Sequence, residues 1–226
     1  MGVALKRRPA RARTRRSVPI PVCSEVSRVR RGFDIAIASS LFVVLSPLLL
    51  LAIVAVACTG RPIFFGHRRL GLDGVPFLCW KLRTMTPDAE ELLDREPDLR
   101  ERYRRNGFKL PVSEDPRITL VGGVLRRTYI DEIPQLYNVL CGEMSVIGPR
   151  PIVEAELRNY GKRGPELLRV KPGLLGAWTS LGRSRPSYPQ RAYLELDYVN
   201  RRSVLRDLRI LVRSVPVVLR GQSDRM

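Results

Sequence analysis

One long apolar run dominates the hydropathy pattern. From Ile35 to Cys58 the chain has 24 residues without a charge, rich in Leu, Val, Ile and Ala. As a helix it would extend about 36 Å, enough to cross a hydrocarbon layer of about 30 Å. Ser46-Pro47 falls at its midpoint, where proline removes a helix hydrogen bond and crowds the preceding turn. Both flanks are basic, with Arg28, Arg30 and Arg31 before the run and Arg61, Arg68 and Arg69 after it. Each flank therefore favours the cytoplasmic side. A kinked span and a helix-break-helix that enters and leaves on one side both stay open from these residues. Asp34, just before the run, reads as an N-terminal helix residue.

Elsewhere the periods are short. Residues 62–65 and 75–80 alternate as two strands around the turn-forming Gly71-Leu72-Asp73-Gly74. A charged helix is expected from Pro87 to about Arg105, with Pro97 as a break, followed by short helices between Gly/Pro turns. Near the C-terminus, Leu205, Leu208, Leu211, Val212, Val215, Val218 and Leu219 recur at helical spacing among Arg202, Arg206, Arg209, Arg213 and Arg220. Such a helix either faces a core or lies in a headgroup layer, and the nearby membrane segment favours the second. The fold class is therefore α+β and mostly helical, in three parts. A basic, disordered tail covers residues 1–24, the membrane helix 25–60, and a folded domain 61–226.

Charge sharpens this picture. The 226 residues carry 40 Lys+Arg against 22 Asp+Glu, a net +18. A chain so basic is expected near phosphate, whether nucleic acid, lipid headgroup or substrate. Only five of the 40 are lysines, so a compositional bias towards arginine is an equally good source of the excess. Cys23, Cys58, Cys79 and Cys141 form no C-x-x-C pair, which argues against a disulfide framework and a zinc site. With His67 the single histidine, catalysis would rest on carboxylates.

The candidate carboxylates are Asp131 and Glu132, in Asp131-Glu132-Ile133-Pro134-Gln135. Asp131 is a candidate N-cap, with Pro134 acceptable in a first turn. Adjacent helical positions point about 100° apart, so the two cannot share one proton. One could attack a phosphorus while the other holds a divalent cation; by itself the pair is more simply read as a helix cap. Arg126 lies five residues ahead, and Pro149-Arg150-Pro151 would present a guanidinium from a restricted backbone. A carboxylate attacking a pyrophosphate needs such cations to offset repulsion. Lys81 and Arg83, two apart in a strand, would share one face.

These pieces, in order, resemble one family. They are Gly32-Phe33-Asp34, Ser46-Pro47, Gly60-Arg61-Pro62, Lys81-Leu82-Arg83-Thr84-Met85, Asp115-Pro116-Arg117-Ile118-Thr119, Asp131-Glu132-Ile133-Pro134-Gln135, Gly148-Pro149-Arg150-Pro151 and Lys171-Pro172-Gly173-Leu174. The chain resembles the bacterial sugar transferases, the monotopic phosphoglycosyl transferases, over about residues 28–220. The resemblance implies transfer of a sugar phosphate from a UDP-sugar to a polyprenyl (undecaprenyl) phosphate, with UMP released, at the start of exopolysaccharide or glycoconjugate assembly. It implies Asp131 as nucleophile, with Glu132 and Asp131 at Mg²⁺. Arg126 would bind phosphate, Pro149, Arg150 and Pro151 would shape the nucleotide-sugar site, and Lys81 and Arg83 would line it. Ser46-Pro47 would be the break of a re-entrant helix at the cytoplasmic face of the bacterial inner membrane, with 61–226 as the cytoplasmic catalytic domain. Leu120, Gly123 and Leu175 depart from the usual pattern, and none lies in the carboxylate pair.

The competing reading is a membrane-anchored basic scaffold that holds nucleic acid or anionic lipid without catalysis. No nucleic-acid-binding signature supports it, and no nucleic-acid partner is expected. Homo-oligomerisation is left open by the sequence.

Overall fold

A computed structural model describes residues 24–105, 110–184 and 186–221. The basic tail expected over residues 1–24 lies almost wholly outside the described residues. Helix α1 (Ser24–Ala57) is 34 residues long and contains Pro47. It begins well before the uncharged run, and Arg30, Arg31 and Asp34 dock this first part on the rest of the protein. The expected break at Ser46-Pro47 is not a gap in the helix: the chain remains helical through it. The carbonyl of Val43, which Pro47 cannot serve, accepts the Ser46 hydroxyl at 2.7 Å.

Both ends of α1 are tied to the same body. Near its start, Arg31 donates to the carbonyls of Val139 and Leu140 at 2.6 Å each. Asp34 is buried and accepts the Ser145 hydroxyl at 2.9 Å and the Val146 N–H at 2.8 Å. Asp34 is thus a docking residue in the third turn and not a helix-start residue. At the far end, Arg83 donates to the carbonyls of Val56 and Gly60 and to the Thr59 hydroxyl. Between these anchors Val43, Val44, Leu50, Leu51 and Val54 are exposed.

The body begins with the antiparallel hairpin β1 (Phe64–Leu70) and β2 (Pro76–Leu82). These strands run longer than the alternation suggested, and Asp73 adopts a left-handed φ of 54° in the turn. The charged helix is split as expected at Pro97, into α2 (Ala89–Arg95) and α3 (Pro97–Arg105). Then come α4 (Leu120–Thr128), α5 (Gln135–Cys141), β3 (Ser145–Ile147), α6 (Gly164–Leu167), β4 (Gly173–Leu175), α7 (Gln190–Asn200) and α8 (Val204–Arg220). Strands β3 and β4 pair in parallel.

The main core joins Ala38, Leu49, Ala52 and Val56 of α1 to β2, α4, α5, β3 and α8. A smaller core gathers Ile152, Tyr160, Leu167, Ala192 and Leu196. Helix α8 buries Ile210 and Ser214, while Leu205, Leu208, Val212, Val215 and Leu219 face outward. Its apolar stripe is therefore not a core face.

Candidate active site

The hairpin and α5 set the carboxylate pair. Asn138, fully buried in α5, accepts the Trp80 N–H at 3.0 Å and donates to the Leu78 carbonyl at 2.7 Å. It thereby satisfies the open edge of β2 as a neighbouring strand would. This fixes the start of α5 beside the end of β2. Asp131 and Glu132 sit in the 3₁₀ turn Ile130–Glu132 that leads into α5. Asp131 is thus not the N-cap expected of it; α5 starts four residues later, after Pro134. The turn is entered through Tyr129, whose left-handed φ of 59° closes α4 with its N–H on the Leu125 carbonyl. A non-glycine residue there stores strain of roughly 1–3 kcal/mol. No sequence signal marked it, because the usual glycine is missing.

Asp131 is buried, and Glu132 is paired with Lys81, Nζ to Oε1 2.5 Å. Burial raises the Asp131 pKa from 3.8 to about 6, with the neighbouring Glu132 charge adding to it and Lys81 and Arg126 opposing it. Arg126 is itself largely withdrawn from water, which lowers its pKa, while the charge of Asp131 favours its cationic form.

Arg126 is placed by a close helix approach. A Cβ on Gly122 would stand 1.9 Å from the Thr84 carbonyl oxygen, so only glycine lets α4 press against the strand extension. One turn on, Arg126 Nε donates to the Thr84 hydroxyl at 2.8 Å. Thr119 caps α4 by accepting the Gly122 N–H at 2.9 Å, and its own N–H donates to the Thr84 carbonyl. Asp115 holds Arg117 through two side-chain hydrogen bonds of 2.8 Å beside this corner.

Lys81 therefore joins the site as expected, but Arg83 does not. Strand β2 ends at Leu82, and the Arg83 guanidinium is spent on Pro62, Met85 and the end of α1. It is a structural clamp: the backbone pairing continues through the Arg83 N–H to the Ile63 carbonyl, but the side chain is buried against these partners and does not reach the carboxylate pair.

Pro149-Arg150-Pro151 lies at the other end of the same hairpin face. Arg69 pairs across from Phe77, and Phe77, Cys79 and Lys81 follow on one face. Arg69 donates to the Pro151 carbonyl at 3.3 Å and approaches Glu156 at 3.6 Å. The Arg150 N–H donates to buried Glu195 at 3.4 Å, and its guanidinium lies 5.4 Å from the centre of the Trp178 ring. Cys79, between the two ends, has its pKa raised chiefly by burial and feels the charges of Lys81, Glu132, Arg69 and Arg150. Arg69, Trp178, Arg191 and Glu195 were missed by sequence reasoning. Arg191 and Glu195 stand at i and i+4 in α7, a spacing visible only once that helix is known to pack here.

Among the described residues no three carboxylate, histidine or cysteine groups gather into a metal cage. The donor set is the carboxylate pair alone, with Asp131 short of compensating charge. That fits a hard divalent cation which takes one or two carboxylates and completes its shell with substrate phosphate and water.

A carboxylate pair with buried Asp131 and half-buried Glu132, faced by Lys81 and Arg126 and beside a helix apolar enough to enter a membrane, defines a class: an enzyme site suited to phosphoryl chemistry at a membrane surface. The particular family follows from comparison. Residues 25–221 match the family model of the bacterial sugar transferases, and the chain belongs to that family. It is 41% identical over 194 residues to the exopolysaccharide production protein ExoY of Rhizobium meliloti (strain 1021), covering 84% of each chain. It is 39% identical over 196 residues to the undecaprenyl-phosphate galactose phosphotransferase of Salmonella typhimurium, covering 85% of this chain and 40% of that one. It is 37% identical over 199 residues to the UDP-glucose:undecaprenyl-phosphate glucose-1-phosphate transferase of Caulobacter vibrioides, covering 84% and 69%.

Proposed function

We propose that the protein transfers a sugar phosphate from a UDP-sugar to a polyprenyl phosphate, initiating polysaccharide assembly. The similarity to lipid-carrier sugar transferases supports the reaction class. The observation that carries the mechanism is Asp131, a buried carboxylate held between Glu132, Lys81 and Arg126. An Asp131 oxygen attacks the sugar-bearing phosphorus, and the bond from that phosphorus to the bridging oxygen breaks. UMP leaves, and an aspartyl phosphosugar remains. An oxygen of the polyprenyl phosphate then attacks the same phosphorus, the acyl phosphate bond breaks, and the Asp131 carboxylate is restored. Arg126 and Lys81 offset charge on the phosphate oxygens, while Pro149, Arg150 and Pro151 frame the nucleotide end.

Asp131 and Glu132 would hold Mg²⁺, which supplies further charge neutralisation at the diphosphate when bound.

Helix α1 enters and leaves the cytoplasmic face of the inner membrane. A straight helix would separate Arg31 from Thr59 by about 42 Å, yet both are fastened to one body through α5 and the end of β2. The exposed middle of α1 and the outward stripe of α8 supply the surface that meets lipid. A non-catalytic basic scaffold leaves buried Asp131, its neighbour Glu132 and their cations without a role. The test is UMP release with Mg²⁺, a polyprenyl phosphate and a panel of UDP-sugars. Release by the parent and none by Asp131→Asn is expected; equal release by both would overturn the assignment.

A further inference from the structure

A second cationic cluster lies where α1 meets α8, and the proposed reaction does not use it. Arg30 and Arg202 approach the same oxygen of Asp207, at 3.2 and 4.0 Å, while the other Asp207 oxygen accepts the Tyr198 hydroxyl at 2.6 Å. The Nε atoms of both arginines are buried without a hydrogen-bond partner. Lys171 Nζ and an Arg31 nitrogen both lie within 3.5 Å of the point where a Cβ on Gly142 would stand. Arg31 is engaged with the last carbonyls of α5, whereas Lys171 has no hydrogen bond or ion pair among the described residues. Burial and the charges of Arg31 and Arg202 lower the Lys171 pKa. Four cations thus face two carboxylates, and Asp34, the second, already accepts two bonds from β3. Such crowding of like charge calls for an anion.

Position says which anion. Arg31 lies one turn before the uncharged run of α1, and Arg202 immediately precedes α8, whose outward residues begin with Leu205 and Leu208. The cluster therefore stands at headgroup depth if the protein sits in the membrane as proposed above. It is at the C-terminal end of α5, whereas Asp131 precedes the N-terminal end of that seven-residue helix. The helix alone spans about 10 Å. A phosphate held here is too far from Asp131 to be the attacking group. We propose that Lys171, Arg30, Arg31 and Arg202 bind the headgroup phosphate of an anionic phospholipid, which locks the junction of α1 and α8 without reacting.

The inference rests on the membrane placement but not on transferase activity, so its test reads lipid binding alone. Thermal unfolding of the full chain in detergent is followed with phosphatidylglycerol or phosphatidylcholine added to the micelles. Phosphatidylglycerol raises the midpoint by several degrees and phosphatidylcholine does not. Lys171→Gln and Arg202→Gln each require about tenfold more phosphatidylglycerol for half the effect, as expected for one charge-assisted hydrogen bond to the phosphate lost. Arg213→Gln, on the exposed side of α8, responds like the parent. If Lys171→Gln does not fold, Lys171→Arg, which keeps the response, and Arg202→Gln, which weakens it, carry the comparison. An unchanged response in Lys171→Gln or in Arg202→Gln, an equal loss in Arg213→Gln, or equal effects of the two lipids overturns the proposal. A polyprenyl phosphate arm separates the sources. Its stabilisation survives in Lys171→Gln if it binds at Asp131; loss there with the phosphatidylglycerol response intact would assign the cluster to the acceptor instead.

Discussion

Replacing Asp131 by Asn should abolish transfer and at the same time stabilise the protein. Burial and Glu132 raise the Asp131 pKa from 3.8 to about 6, so the ionised carboxylate is disfavoured in the folded state. Between these values the folded state binds more protons than the unfolded state, and stability falls as pH rises. At pH 7 the full difference applies, on the order of 3 kcal/mol at 1.36 kcal/mol per pKa unit. At pH 5 the folded carboxyl is mostly protonated, and about half of that penalty has developed. Asn is nearly isosteric and uncharged, so it removes the penalty at both pH values. With roughly 2–4 °C per kcal/mol for a domain of this size, the midpoint gain at pH 7 is about 6–12 °C, and it shrinks by about half at pH 5. The assay is thermal unfolding of parent and Asp131→Asn in detergent with a chelator at both pH values. A gain that does not change with pH, or a loss at pH 7, refutes the reasoning that the carboxylate is held ionised at a cost. Added Mg²⁺ should narrow the gap by stabilising the parent alone.

Further outcomes follow from the same geometry. The kcat/KM of the parent should rise with pH through an ionisation near about 6, since only the unprotonated Asp131 attacks. Arg126→Gln should move that limb upward, and an unshifted limb would show that Arg126 does not act on the pair. Gly122→Ala should destabilise by roughly 1–3 kcal/mol through overlap with Thr84, while Gly123→Ala, whose nearest neighbour is a Val112 methyl at 3.9 Å, should stabilise by about 0.5–1 kcal/mol in chemical denaturation. Reporter fusions ahead of α1 and after α8 should both indicate the cytoplasmic side; opposite sides would establish a span.

What could be read from the residues was what local chemistry dictates. Pro97 splits a charged helix because it cannot continue one, and the hairpin turns at Asp73 and Gly74 because Asp and Gly tolerate the left-handed backbone found there. The carboxylate pair and Arg126 were legible from their types and order. Their environment was not: the burial of Asp131 depends on Asn138 mimicking a strand on β2, a contact 58 residues apart. Arg83 was misplaced because alternation does not reveal that the end of α1 packs there and takes up its guanidinium. Asp34 was taken for a helix-start residue because the apolar run begins there, while the helix itself starts at Ser24 and Asp34 docks it to β3. The support behind Pro149-Arg150-Pro151, from Arg69 and Glu195, joins segments with no shared local pattern.

If Asp131 carries the sugar phosphate, intact-protein mass spectrometry after incubation with each UDP-sugar and Mg²⁺, without acceptor, reads it directly. One adduct with the mass of a sugar phosphate is expected for a matching donor, removed by adding polyprenyl phosphate and never formed by Asp131→Asn. An adduct on Asp131→Asn, or UMP release by the parent with no adduct under any donor, would contradict it.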